Sequence, residues 1–234
     1  PVSPPSPWLA QLQHDRQHFH LERDTECDIA VVGAGIAGVS TTYYLLKYTK
    51  AKIVLLDAGR IAHGATGRNA GQVVSYFERP LSDMAAAFGV EMAVEGQLLV
   101  ESAWSQLEDI VRECHLTTPL YRCQGYAGYS NVQQIIEKLV EHEIRIKAGI
   151  TEEPMLMKVD PQLMQQIPAH LHPFIVQVPH STILKLLITN DPHFIAAHPA
   201  LKGCMNSALF CEELVAWMVA NHSNRLTVAE HLPM

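Results

Sequence analysis

Residues 27–57 constrain the fold of this chain more than any other part of the sequence. Ile29–Val32 is a short apolar run rich in β-branched residues, which is typical of a buried parallel strand. Gly33, Gly35 and Gly38 follow it with the spacing G-x-G-x-x-G. The first glycine of this pattern allows a tight turn, the second lets the backbone approach a pyrophosphate, and the third lets a helix pack closely. The pattern predicts a helix whose N-terminal amides face phosphates.

A second strand and an acidic residue complete this unit. Ile53–Leu56 is another short apolar run, and Asp57 follows it, about 20 residues after the last glycine. An acidic side chain at this place accepts hydrogen bonds from a ribose, and its charge would repel a 2′-phosphate. The ligand is therefore expected to be FAD or NAD. The predicted contacts are Gly33, Gly35, Ile36, Gly38 and Asp57.

A turn without a ligand and a membrane span are the two alternatives to nucleotide binding for this stretch. A glycine-rich turn can occur without a ligand, but here both strands, the helix and the terminal acid fall within about 30 residues. Residues 27–46 are mostly apolar, as in a membrane span. Asp28, the three glycines and the immediate second strand argue against a span.

Composition limits the partners and the compartment. The 234 residues suffice for one large domain or two small ones, and the net charge of −7 gives no reason to expect nucleic acid or an anionic membrane surface. The five cysteines form no C-x-x-C pair and no signal peptide is visible, so we expect reduced thiols in a cytoplasmic protein. Because Pro1 is the first residue, we expect a processed chain or a piece of a longer one.

The first 26 residues are predicted to form a proline-rich N-terminal arm. Trp8, Leu9 and Leu12 are expected to dock this arm on the body of the protein. The arm also contains three histidines, His14, His18 and His20. No cysteine or carboxylate cluster at ligand spacing accompanies them, so we predict no metal site.

A glycine-rich loop follows the ribose-binding acid. Residues 58–72 contain four glycines, and their other side chains are mostly small or polar. Such a loop can run close to a ligand because little side chain stands in the way. Thr66, Arg68, Asn69 and Gln72 can donate hydrogen bonds to phosphate or ring atoms. An ordinary surface loop is the alternative, but its position directly after the acid favours a role in binding.

Two segments of the chain resemble the FAD-dependent D-amino-acid oxidase-like family, nearest the group of γ-glutamylputrescine oxidoreductase and glycine oxidase. They are D-I-A-V-V-G-A-G-I-A-G at residues 28–38 and L-L-D-A-G-R-I-A-H-G-A-T-G-R-N-A-G-Q-V at residues 55–73. The second segment is the more discriminating, since NAD-dependent dehydrogenases do not carry it. The resemblance implies FAD as the cofactor. It also implies further contacts from Ala58, Arg60, Ala65, Thr66, Arg68, Asn69, Ala70 and Gly71.

The resemblance also bears on how the flavin is held. Some relatives attach FAD covalently through a histidine in this segment, whereas Arg68 occupies the matching position and cannot form that bond. We therefore predict non-covalent FAD, with Arg68 pairing with phosphate or lying near the flavin ring, where it would favour the reduced anionic form. The catalytic residues remain unknown. Five later histidines are expected to be surface or satisfied core residues, although one can still act as a base: His170, His172, His180, His193 and His198.

The whole pattern predicts an α/β fold, with a Rossmann-like FAD-binding domain built on a parallel sheet and part of an α+β substrate domain. The predicted domains are the arm at 1–26, the FAD-binding domain at 27–80 and 204–234, and a helical and partial substrate domain at 81–203. Further helices are predicted at 82–114 with a break at Gly89, at 131–143, between Pro161 and Pro168, and after a cap at Asn206 or Ser207. Further strands are predicted at 120–129, 174–178 and 226–230.

In the family, the residues after the last predicted strand touch the adenine side through backbone groups, which corresponds to residues 232–234. Tyr126 and Tyr129 can line a substrate cavity, although a structural role is commoner for buried tyrosines. The resemblance covers about residues 27–234 but only the first half of a family member. The chain is therefore expected to be an excerpt of a longer polypeptide, or to need the missing C-terminal half or a partner chain.

The resemblance implies an FAD-dependent oxidoreductase that oxidises CH–NH groups of a small amine or amino acid by hydride transfer to flavin N5. The chain would be the N-terminal half of that enzyme. An NAD-dependent dehydrogenase is one alternative, but it leaves the A-T-G-R-N-A-G segment unexplained. A non-catalytic nucleotide-binding or assembly subunit is the other, and the missing half makes it a serious one.

Overall fold

A computed structural model describes residues 6–13, 16, 18–21, 23–77 and 79–233. The chain divides into two compact units, and each has its own hydrophobic core. The first unit combines the described residues of 1–73, 107–121 and 204–234, and the second combines those of 74–106 and 122–203. Both units are thus built from segments that are distant in the sequence.

The helices and strands alternate along most of the chain. The strands are β1 (Ile29–Val32), β2 (Ile53–Leu56), β3 (Gln72–Val73), β4 (Leu120–Tyr129), β5 (Met155–Lys158), β6 (Ile175–Val178), β7 (Ala196–Met205) and β8 (Leu226–Ala229). The α-helices are α1 (Ile36–Tyr48), α2 (Leu81–Phe88), α3 (Val90–Glu113), α4 (Val132–Lys147), α5 (Pro161–Gln165), α6 (His180–Leu186) and α7 (Ser207–His222). Short 3-10 helices occur at Leu9–Gln11, Ala65–Arg68 and Ala169–Phe174.

The first unit is built on a three-stranded parallel sheet with the strand order β1-β2-β8. Ile53 of the central strand lies opposite Ile29 on one side and Leu226 on the other. Strands β1 and β2 have the predicted bounds, and the central strand β2 is largely buried. The predicted burial of β1 is wrong, because β1 lies at the edge of the sheet and alternates half-buried and exposed residues. The third strand of this sheet, β8, ends at Ala229, one residue before the predicted end.

Helices α1 and α7 pack against each other and on this sheet. Their contact buries Val39, Phe210 and Leu214 completely, and Leu55 of β2 lies in the same core. Of the two residues predicted to cap α7, Asn206 takes that position. Its side-chain oxygen accepts hydrogen bonds from the first amides of the helix, Ala208 and Leu209, at 3.1 Å each.

The second unit packs helices on a mixed sheet. β5 runs parallel to β6 and antiparallel to β7, and β4 pairs with β7. Ile135 and Leu139 of α4 bury against Met155 and Met157 of β5. Gly89 lies between α2 and α3 with φ of 87°, a left-handed conformation that favours glycine, and this confirms the predicted break.

The predicted α/β class with a parallel sheet is confirmed. β5, β7 and α6 were not predicted, and they lie in the proline-punctuated part of the chain. Across the described ranges, no helix has both the length and the apolar character that a bilayer crossing would require. All five cysteines carry free thiols, and burial raises the pKa of Cys211 to about 12.

Candidate functional site

The glycine turn lies between β1 and α1, at the carboxyl end of the parallel sheet. Gly33 has φ of 96°, and its amide donates a hydrogen bond of 2.7 Å to the carbonyl oxygen of Leu56 in β2. A Cβ atom on Gly38 would overlap the carbonyl oxygen of Gly33. The turn and the first turn of the helix therefore lie in contact, as the glycine pattern predicts.

Asp57 links the two loops that follow the neighbouring strands. Its Oδ2 accepts a hydrogen bond from the amide of Ala34 at 2.7 Å, and its Oδ1 accepts one from the amide of Gly59 at 2.7 Å. Its side chain is only partly buried. Because each carboxylate oxygen has two lone pairs, the side chain keeps the capacity to accept further hydrogen bonds from a ribose.

Thr66 fixes the glycine-rich loop to the start of helix α1. Its hydroxyl oxygen accepts a hydrogen bond of 2.9 Å from the amide of Ile36. A Cβ atom on Gly35 would lie 2.9 Å from the same hydroxyl oxygen, so a side chain there would displace the loop. The amide of Ile36, predicted to face phosphate, is thus already bonded within the protein.

Asn69 holds the other end of the loop against helix α7. Its side-chain amide donates to the carbonyl oxygen of Thr66 at 2.8 Å and to the hydroxyl of Ser207 at 2.9 Å, and its Oδ1 accepts from the amide of Gly71 at 2.7 Å. Ser207 in turn donates to the carbonyl oxygen of Thr66 at 2.6 Å. Ser207 was predicted only as a possible helix cap; its bond to the loop could not be predicted, because the contact joins positions 141 residues apart.

The remaining predicted contacts differ in their surroundings. Arg68 is exposed, and its Nε donates to the carbonyl oxygen of His63 at 3.4 Å. Arg60 is largely buried, with its Nη2 lying 4.0 Å from Oε1 of Glu212. Its Nε and Nη2 find no hydrogen-bond partner among the described residues. The three predicted alanine contacts are all exposed: Ala58, Ala65 and Ala70.

The residues at this site fit the diphosphate and ribose of a dinucleotide. Around the positions where Cβ atoms of Gly33 and Gly64 would stand, there is open space with no atom within 4 Å. The turn therefore presents bare backbone to a ligand, beside a helix N-terminus whose dipole favours negative charge. Asp57 stands at the end of β2 with both oxygens facing the two loops. Backbone amides that donate to phosphate and one carboxylate that accepts from a ribose are the groups that such a ligand needs.

The second unit contains a separate polar cavity of about 580 Å³. Of the two tyrosines predicted to line a substrate cavity, Tyr129 lines this one, and burial raises its pKa to about 12. Four of the charged groups that line the cavity pair with one another: Arg145 Nη1 lies 2.7 Å from Glu101 Oε1, and Lys138 Nζ lies 3.3 Å from Glu152 Oε1. This pairing neutralises much of the charge in the lining.

Most of the later histidines bond to the protein itself. His172, His180 and His198 each contact a backbone carbonyl oxygen through Nε2 at 2.8–3.0 Å, and exposed His193 contacts the carboxylate of Asp191. Among the residues that the structure describes, no group of three histidine, cysteine or acidic side chains is placed to hold a metal ion. His14 of the arm lies outside the described residues.

Comparisons with known proteins place this site in a family context. The chain is 33% identical over 94 residues to γ-glutamylputrescine oxidoreductase of Escherichia coli (strain K12), covering 40% of this chain and 21% of that protein. It is 30% identical over 206 residues to the probable oxidoreductase OrdL of Haemophilus influenzae, covering 86% of this chain and 42% of that protein. The chain thus spans less than half the length of either relative.

A solved structure shares the fold. Glycine oxidase from Geobacillus kaustophilus superposes with a TM-score of 0.52 at 13% identity, covering 88% of this chain and 46% of that one. The model of the DAO family, described as FAD dependent oxidoreductase, matches residues 28–175, which is more than half of the chain. The resemblance seen in the sequence is thereby confirmed, and the chain belongs to the DAO family of FAD-dependent oxidoreductases.

Proposed function

We propose that this chain binds the ADP part of FAD at the carboxyl ends of β1 and β2, within an oxidoreductase that oxidises CH–NH groups of a small amine or amino acid. The observation that carries the proposal is the position of Asp57. Its carboxylate joins the glycine turn at Ala34 to the loop at Gly59, where a ribose between the two would find its acceptor. FAD is the cofactor of the family to which the chain belongs.

All predicted residues except Ile36, whose amide is bonded to Thr66, have a defined part in this proposal. Gly33 allows the tight turn, Gly35 lets the backbone approach the pyrophosphate, and Gly38 lets the helix pack closely on the turn. Asp57 accepts hydrogen bonds from the ribose. Thr66 and Asn69 hold the loop at the start of α1. The loop then presents backbone groups and the exposed guanidinium of Arg68 to the cofactor. The proposed contacts in the loop are Ala58, Arg60, Ala65, Arg68, Ala70 and Gly71.

Bound FAD supplies a two-electron acceptor for the oxidation of a carbon–nitrogen bond. The protein binds and orients the cofactor, and the charge of Arg68 favours an anionic partner near its exposed side chain. We propose that the flavin is held without a covalent bond, because arginine cannot form the linkage that a histidine would form at this position. We also propose a cytoplasmic location, the compartment in which thiols are kept reduced.

Titration of the purified apoprotein with FAD, followed by flavin fluorescence, tests this site. Asp57→Asn removes the negative charge and one acceptor oxygen, and we expect FAD affinity to fall by roughly tenfold. The matched control is Asp28→Asn, at the opposite end of the same strand pair. Asp28 also accepts a backbone amide through a carboxylate oxygen, from Lys52 at 2.7 Å. Equal FAD affinities in the two variants would contradict the ribose contact.

The substrate class rests on the relatives, one of which is named for γ-glutamylputrescine and another for glycine. We propose an amine or amino-acid substrate. Anaerobic mixing of the FAD-loaded protein with a panel of amines and amino acids tests this, since oxidation of the true substrate bleaches the visible absorbance of the flavin. A flavin that no member of the panel bleaches would indicate a binding subunit. A colourless protein that binds NADH would indicate a dehydrogenase.

A further inference from the structure

We infer that the N-terminal arm positions the glycine-rich loop for FAD binding, and that Trp8 and Arg16 are the positioning residues. The arm here means residues 6–13, 16 and 18–21, and the cofactor loop means residues 58–72. The inference rests on the proposed function, because it assumes that this loop contacts FAD. It adds to that function a dependence of the site on a segment outside the nucleotide-binding motif.

The arm bonds directly to the backbone of the cofactor loop. The indole Nε1 of Trp8 donates a hydrogen bond of 2.7 Å to the carbonyl oxygen of Asn69. The hydroxyl of Ser6 donates to the carbonyl oxygen of Gly67. The carbonyl oxygen of Trp8 accepts a hydrogen bond of 3.1 Å from the side chain of Asn206, the cap of helix α7. Trp8 is therefore held between the loop and the start of the helix.

Steric contact adds to these hydrogen bonds. A Cβ atom on Gly71, whose φ is 68°, would overlap the ring of Trp8. A Cβ atom on Gly67 would lie 2.5 Å from both Cδ2 of Leu9 and the carbonyl oxygen of Ala62. Two of the four glycines in the loop are thus explained by the arm that covers them. At Gly33 and Gly64, by contrast, no protein atom lies where a Cβ atom would point, so the space there is open to a ligand.

A buried carboxylate joins the arm to the other end of the loop. The side chain of Glu230 is 0% exposed, and its Oε1 accepts hydrogen bonds from Nη2 of Arg16 at 2.6 Å and from the amide of Ile61 at 2.8 Å. Its Oε2 accepts from Nη1 of Arg16 at 3.0 Å and from the amide of Phe19 at 3.1 Å. The Nε of Arg16 also lies 3.1 Å from Oε1 of Glu212. The arm thus bonds directly to one end of the loop, and at the other end it bonds to Glu230, which in turn holds the amide of Ile61.

A physical reason connects this hold to cofactor affinity. A loop with four glycines has many accessible backbone conformations when it is not restrained, and ordering it opposes binding. A loop that is already fixed in its binding conformation avoids that entropic cost. The arm therefore raises FAD affinity without needing to touch FAD.

The test compares tryptophan substitutions in the full chain. Trp8→Ala removes the indole donor and the ring, and we expect it to weaken FAD binding by roughly tenfold; Trp8→Phe keeps a ring and should weaken it by about threefold. We also expect faster amide hydrogen exchange at residues 64–72 of the apoprotein in Trp8→Ala. The control is Trp217→Ala, since Trp217 is partly buried in the same unit and packs against Tyr43 and His222. It should lower the melting temperature without changing FAD affinity or exchange in the loop.

The outcomes separate the two proposals. Unchanged FAD affinity and unchanged loop exchange in both Trp8 variants would overturn the inference while leaving the proposed function intact. Equal losses of FAD affinity in Trp8→Ala and Trp217→Ala, in proportion to their melting temperatures, would also overturn it, because the arm would then act only on global stability. Failure of the wild-type protein to bind FAD would instead overturn the proposed function, and the inference with it.

Discussion

Gly38 lies so close to the carbonyl oxygen of Gly33 that no side chain fits between them. We predict that Gly38→Ala lowers the free energy of unfolding of the apoprotein by about 2 kcal/mol, because the helix must move away from the turn. Urea denaturation measures this. The control is Gly64→Ala, whose Cβ would meet no atom within 4 Å. If both substitutions had the same effect, packing between helix and turn would not be the reason for glycine at position 38.

The cofactor-site residues differ in how far sequence could predict their surroundings. Gly33, Gly38 and Asp57 occupy the turn and strand end that the spacing predicts, because the geometry of a strand–turn–helix unit is local. The bond from Ile36 to Thr66 was not predicted, since it joins positions 30 residues apart and depends on the path of the loop. The sequence identified Thr66 as a hydrogen-bonding residue but not its partner.

At the scale of the elements, the buried ion pair between Arg16 and Glu230, which directly follows β8, responds to pH. Bonding to Arg16 and to the amides of Ile61 and Phe19 lowers the pKa of Glu230 to about 2, although burial opposes this shift. On acidification, the carboxylate of Glu230 takes up a proton at a higher pH in the unfolded chain than in the folded chain. The pair therefore stabilises the protein at neutral pH, and its stabilisation is lost as the pH falls from about 4.5 towards 2.

We predict that Glu230→Gln removes about 2–3 kcal/mol of stability at pH 7 and flattens the dependence of unfolding on pH below about 4.5. Urea denaturation at a series of pH values measures both effects. Asp109→Asn is the control, because the carboxylate of Asp109 belongs to the same unit but is exposed beside Arg112. Such surface pairs contribute little. An unchanged pH dependence in Glu230→Gln would contradict the role of this carboxylate.

The elements themselves were predicted where local pattern decides and missed where pairing decides. β1 and β2 have the predicted bounds because each is a continuous apolar run between turn residues. β7 was missed because it contains Pro199 and Gly203 and shows no alternation of apolar and polar residues. It forms a strand because β4 and β5 both pair with it, and such tertiary pairing overrides weak local preference.

At the level of the whole molecule, the two units have separate cores, and the stability of each depends on pH through different groups: Glu230 in the first unit and two buried histidines in the second. His142 and His198 of the second unit are both buried, and burial lowers the pKa of each. The unfolded chain takes up these protons at a higher pH than the folded chain. Stability of the second unit should therefore fall as the pH drops below about 6.5.

We predict that His198→Gln reduces this loss in the second unit, because it removes one buried group that must take up a proton. Trp104 is the tryptophan of that unit, so its fluorescence in a Trp8→Phe, Trp217→Phe background reports urea unfolding there. The control is His193→Gln, since the side chain of His193 is 84% exposed. Identical pH dependence in His198→Gln and the parent would show that His198 does not set acid sensitivity.

The bonds that tie the arm and Glu230 to the cofactor loop have a consequence for biosynthesis. Trp8 and Arg16 are synthesised before the glycine motif, whereas Glu230 is added 214 residues after Arg16. A nascent chain can thus form the nucleotide-binding βαβ unit long before the carboxylate that ties down the arm exists. Capacity to take up FAD should consequently mature only after Glu230 has been added, rather than when the glycine motif emerges.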